Sequence, residues 1–96
     1  MTKAERDYIS RAVSLGCALC RRLGYGESPA EYHHKRTGVG AGQRASHLDG
    51  FPLCPAHHRQ SNEAIHVMGR KAWERHFEVT EGLFVDQTRI LVGATV

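Results

Sequence analysis

The sequence predicts a small α+β fold: a strand, loop, strand, helix core closed by four metal-ligating side chains, with flanking helices. Three observations predict it. Cys17-x-x-Cys20 and Cys54-x-x-His57 are two close-spaced pairs of the donors that tetrahedral zinc sites use. Between the pairs, two short runs of strand character bracket a glycine-rich stretch, and outside the core apolar residues recur at helical spacing. A chain of 96 residues also buries a limited fraction of its surface, so size alone favours a metal staple.

Residues 3 to 15 place Ala4, Tyr8, Ala12 and Leu15 on one helical stripe, with Ile9 and Val13 beside it and Gly16 as the stop. Gly24, Gly26 and Pro29 then read as a knuckle and loop with no long helix. A strand is expected over 30–36, Ala-Glu-Tyr-His-His-Lys-Arg. Gly38, Gly40 and Gly42 open a polar loop reaching to about Gly50, and a second short strand covers 51–53. Pro55 suits the first position of a helix over 55–62. Ile65, Met68, Ala72, Trp73 and Phe77 follow at helical spacing across Gly69, and Thr80 can cap a last helix carrying Leu83, Phe84, Gln87, Ile90 and Leu91. No repeat or linker divides the chain. The expectation is one domain over 1–96, with an N-terminal helix at about 3–15, a core at about 17–66 and C-terminal helices at about 65–92.

Three cysteines suit a closed disulfide framework poorly, and seven histidines are a heavy load of metal-binding groups, so mixed Cys/His ligation is expected. Cys17, Cys20, Cys54 and His57 supply four donors and leave no open position, which marks a structural zinc site. Joining two distant pairs also closes the loop between them and lowers the entropy of the unfolded chain. The net charge of +3 is compatible with a polyanionic partner. No run of about 20 apolar residues is present, so no membrane partner and an intracellular setting are expected.

On a strand, His33 and His34 point to opposite faces and should hold different roles, one on a metal and one hydrogen-bonding or carrying a proton. On a regular helix His57 and His58 lie about 100° apart, so His57 can face the zinc while His58, on one face with Asn62, looks elsewhere. His66 lies about 80° off that face and reaches it only if the backbone breaks between them.

This order of His33-His34, glycine loop, second strand and Cys-x-x-His-His helix resembles the HNH endonucleases over about residues 17–66. The resemblance implies a ββα-metal core with His33 as first ligand of a catalytic divalent ion, His34 as general base and His58 as the last histidine. Asn62 or His66 would complete the coordination. Where that family has its middle asparagine this chain has His47, Leu48 and Asp49, and Asp49 is the candidate orienting residue. Pro29-Ala-Glu-Tyr-His-His, Gly-Gln-Arg-Ala-Ser-His-Leu-Asp and Pro-Leu-Cys-Pro-Ala-His-His-Arg, with Ala-Ile-His and Lys-Ala-Trp-Glu beyond, are similar to the phage recombination-enhancement nucleases of the Ref type. Those are RecA-dependent and cut DNA at displacement loops.

The resemblance implies a structural Zn2+ and a catalytic Mg2+ or Mn2+, with Zn2+ able to take that site in crystals. It also implies DNA and the RecA filament as partners, and the bacterial host cytoplasm as location for a phage-encoded chain. His34 would take a proton from the water attacking phosphorus, leaving a 3′-hydroxyl and a 5′-phosphate. Lys35, Arg36, Arg44 and Arg59 flank that centre as candidate phosphate contacts, and His76 reads as structural. The rival reading is a non-catalytic zinc module binding nucleic acid or protein. A zinc nucleobase deaminase would need His-x-Glu and Pro-Cys-x-x-Cys in an order this chain lacks.

Overall fold

In the computed structural model, which describes residues 1–37 and 46–94, a capping box starts the first helix. The Thr2 hydroxyl accepts from the Glu5 amide and the Glu5 carboxylate accepts from the Thr2 amide, so α1 runs Lys3–Ser14. Ala12 is buried and Tyr8, Ile9, Val13 and Leu15 half-buried, while Ala4 in the first turn is exposed. The knuckle after Gly16 contains a short helix that turn residues alone did not announce. α2 spans Ala18–Leu23, with the Cys17 sulfur accepting from the Cys20 amide at its start and Gly24 in the left-handed conformation at its end. The breakers Gly24, Gly26 and Pro29 all lie beyond it.

β1 (Glu31–His34) pairs antiparallel with β2 (Gly50–Leu53), placing His33 opposite Phe51 and His34 opposite Gly50. The strand is shorter than 30–36: the Lys35 amide still donates to the Asp49 carbonyl at 2.8 Å, but the Arg36 amide turns away to the Glu81 carboxylate. Alternation sends His33 inward, 1% exposed, and His34 outward. Gly50 has no alternative: a Cβ there would overlap the His33 carbonyl oxygen and the Tyr32 ring. The glycines at 38, 40 and 42 and Arg44 lie outside the described residues.

Pro55 leads into a π-helical segment, Ala56–Gln60, shorter than the expected 55–62 because Ser61 is extended, at φ −134° and ψ 171°. The helical pattern over 65–77 is two helices, α3 (Ile65–Met68) and α4 (Arg70–Phe77), parted at Gly69, whose φ of 88° a side chain would resist. Thr80 caps α5 (Glu81–Ala94), its hydroxyl accepting from the Leu83 amide at 3.0 Å. The buried face of α5 is Glu81, Phe84, Val85, Thr88 and Val92, while Leu83 and Ile90 are exposed, so the packed stripe is rotated from the one apolar spacing suggested. Phe84 lies 5.2 Å from the Phe51 ring and 6.2 Å from Trp73, which seats α5 against β2. Leu19, Leu53, Ile65 and Val79 complete that core. Among the described residues no helix is long and apolar enough to cross a membrane.

Replacing Gly50 with alanine must push β2 away from the His33 carbonyl. It is expected to cost about 1–3 kcal/mol of stability, the range for overpacking, measured as a lower midpoint in urea unfolding.

Candidate active site

Cys17 stands at the head of α2, Cys20 one turn on, Cys54 just beyond β2 and His57 in the π-helical segment. Their donors converge. His57 Nδ1 lies 3.3 Å from the Cys54 sulfur, 3.6 Å from that of Cys20 and 3.8 Å from that of Cys17, and the Cys20 and Cys54 sulfurs are 3.9 Å apart. Zinc bonds of about 2.3 Å to sulfur and about 2.0 Å to nitrogen, set tetrahedrally, separate two sulfurs by roughly 3.8 Å and a sulfur from a nitrogen by roughly 3.5 Å. The group could therefore hold a zinc ion with little rearrangement. Burial is the largest cause pushing the Cys17 thiol up to about 12. A coordinating cation reverses that preference and stabilises the thiolate. Burial lowers the pKa of His57, which keeps its ring neutral with a lone pair to offer.

His58, the next residue, faces a second cluster. Its Nε2 is 3.0 Å from Nε2 of His66, and the His33 ring sits 5.2 Å from that of His58 and 5.3 Å from that of His66. One donor atom from each of the three lies within 4.8 Å of the others. His66 gets there because the extended Ser61 ends the π-helical segment and the chain restarts as α3. Asn62 is exposed in the turn between them. Burial lowers the pKa of both His58 and His66, favouring the neutral form that binds metals. His33 Nδ1 is buried without a hydrogen-bond partner among the described residues, although its other nitrogen is firmly held.

Two carboxylates that sequence reasoning passed over stand behind these rings. Glu81, fully buried at the start of α5, takes His33 Nε2 on Oε2 at 2.6 Å. Its Oε1 accepts from the Arg36 amide at 2.9 Å, the Thr37 amide at 2.8 Å and the Thr37 hydroxyl at 2.6 Å. Burial pushes its pKa up, but the hydrogen bonds from His33, Thr37 and the two amides outweigh that and hold it at about 2. Glu31 binds His58 Nδ1 at 2.8 Å and Arg59 at 2.7 and 3.2 Å, and the Arg59 hydrogen bond leads in lowering its pKa. Glu31 shares a strand face with His33, two residues on, so the period-2 rule was a usable signal. Nothing local marked Glu81.

His34, on the other face of β1, meets the Tyr32 ring edge-on at 5.2 Å and brings Nε2 to 3.3 Å from Nδ1 of His47. Burial first, then the charges of His47, His33 and His58, lower its pKa, so near pH 7 the ring is free to accept a proton. Asp49 does not face it. The Asp49 carboxylate pairs with Arg89 on α5, and His47 is the neighbour of His34, while the His47 carbonyl accepts the Tyr32 hydroxyl at 2.9 Å.

Residues 1–91 match the model of a family described as recombination enhancement, RecA-dependent nuclease. The chain belongs to this nuclease family. Nothing matches it among curated proteins or solved structures. On this member of the RecA-dependent nucleases, Arg36 is exposed with its charge felt at His66 and Lys35 is half-buried, whereas Arg59, though exposed, is tied to Glu31. Arg44 lies outside the described residues. His76 is on the surface of α4, 3.2 Å from Glu63.

A Cys54→Ala chain is expected to lose one tightly held zinc per molecule and most of its cooperative unfolding, read by metal analysis and thermal melting. Retention of that zinc would show the four donors do not act together.

Proposed function

We propose that the chain is a metal-dependent DNA endonuclease with an HNH-type ββα-metal core. In this reading Cys17, Cys20, Cys54 and His57 hold a structural zinc, and His33, His58 and His66 hold a catalytic divalent ion. The observation that carries it is the grouping of His33 with His58 and His66, together with a buried His33 Nδ1 that, unlike the Nε2 held by Glu81, has no partner among the described residues, while His34 lies on the opposite face of the same strand. A buried polar atom without a partner is costly, about 1–3 kcal/mol, and a ligand role accounts for it. His66 takes the third position in preference to Asn62, because His66 meets His58 at 3.0 Å.

His34 acts as the general base. Its neutral ring takes a proton from the water that attacks phosphorus, and His47 keeps the ring from rotating away. His33, His58 and His66 would hold a divalent ion, which when bound would supply positive charge to the phosphate and the departing oxygen. Arg36 and Lys35 contact flanking phosphates, as does Arg44. Arg59 is instead a brace that steadies Glu31 and through it His58. As the water oxygen bonds to phosphorus the P–O3′ bond breaks and O3′ takes a proton from solvent, so cleavage leaves a 3′-hydroxyl and a 5′-phosphate. The family description supports DNA as substrate and RecA as the protein on which cutting depends.

The test is cleavage of plasmid DNA with Mg2+ or Mn2+, with and without a RecA-coated oligonucleotide. His34→Ala is expected to lower the rate at least about a hundredfold while zinc content and DNA binding persist. Undiminished cutting by that variant would sink the assigned base. A wild-type chain that binds DNA yet cuts under none of these conditions would favour the non-catalytic zinc module.

A further inference from the structure

We propose that Glu81 is a positioning residue that sets the tautomer of His33, and that the C-terminal helix α5 thereby decides whether the three-histidine cluster can take a metal. The inference rests on His33 being a ligand. A carboxylate can only accept hydrogen bonds, so the hydrogen in the 2.6 Å contact belongs to His33 Nε2. In a neutral imidazole the other nitrogen then carries the lone pair, and that nitrogen is the buried, unpartnered Nδ1. With the hydrogen on Nδ1 instead, the cluster would meet an N–H where a ligand needs a lone pair.

Glu81 is an unusually well-held proton director. Oε1 is occupied by three donors, the amides of Arg36 and Thr37 and the Thr37 hydroxyl, and among the described residues Oε2 is left to His33. The carboxylate belongs to the first residue of α5, whose own amide is anchored on Glu74 Oε2 at 2.7 Å. Glu31 meets His58 in the same sense, gripping Nδ1 and leaving Nε2 towards His66, so both rings are oriented from behind.

This asymmetry makes Glu81→Gln informative. The amide of glutamine has one accepting and one donating end. Its oxygen must stay with the two backbone amides, which cannot reverse polarity, so its NH2 faces His33 Nε2. His33 can answer only by accepting there, and its hydrogen relocates to Nδ1 by exchange with solvent. A side chain that merely tied the β1 end to α5 would make no such demand.

The experiment is long-range 1H–15N NMR of the full chain, carrying its Cys/His zinc and no second metal, combined with Mn2+ titration followed by electron paramagnetic resonance. Wild type is expected to show His33 protonated on Nε2, and Glu81→Gln to show it protonated on Nδ1 with Mn2+ binding weakened about tenfold to a hundredfold. His33 protonated on Nδ1 in wild type overturns the proposal, and this needs no variant to fold. So does a folded Glu81→Gln chain that keeps the wild-type tautomer or the wild-type Mn2+ affinity. Mn2+ binding that survives His58→Ala, or is absent from wild type, overturns the metal-site reading instead, while the NMR result still decides the tautomer.

Discussion

His57 and His58 are adjacent, yet His57 Nδ1 lies among three cysteine sulfurs and His58 Nε2 faces His66. The short π-helical segment that carries them points the two rings at different clusters. Cys54, just past β2, closes the same unit, and β2 is paired through Phe51 to His33 on β1. The sulfur cluster and the three-histidine cluster are thus joined through one short stretch of chain. In a chain this small, with its core limited to a few large side chains such as Trp73, Phe51 and Phe84, that connection substitutes for bulk hydrophobic burial as the source of precise geometry.

The second organising feature is the buried His33–Glu81 pair. Burying a carboxylate and an imidazole is unfavourable unless their polar atoms are met, and here every lone pair direction of Glu81 that matters is engaged. The exception is His33 Nδ1. Tyr8, Arg21, Ser28, Trp73 and Thr88 also bury a side-chain polar atom without a partner among the described residues, but of these six only His33 stands in the three-histidine cluster where chemistry is proposed. Phe51 packs against the same ring, with centroids 5.0 Å apart.

What could be read in the sequence follows the range of the interaction concerned. The Cys17, Cys20, Cys54 and His57 group was legible because two-residue spacings limit what a chain can do locally, and the division between His33 and His34 because strand alternation is strict. His66 depended on a backbone break, and no residue around Ser61 announces one. Glu81 is 48 positions from His33, so nothing within a sequence window links them. It also explains the rotated face of α5: a buried acid leads the packed stripe at a position that apolar periodicity scores as surface, and Ile90 and Leu83 turn outward as a result. The exchange of Asp49 for His47 turns on two positions in a tight bend before β2, below the resolution of any periodicity argument.

The disposition of charge gives these placements a common logic. The acids nearest the three-histidine cluster, Glu31 and Glu81, sit on the far nitrogens of His58 and His33, and Asp49 is neutralised by Arg89. Had Asp49 pointed at His34, a carboxylate would have stood beside the proposed general base, repelling the proposed polyanionic substrate and raising the proton affinity of the ring. His47 at that position does the opposite, since its charge lowers the His34 pKa, and Arg36 adds positive potential near His66. Negative charge is therefore held behind the imidazoles, where it orients them, and kept away from the side a nucleic acid would approach. A cluster built only to pack would have no reason to sort its charges in this way.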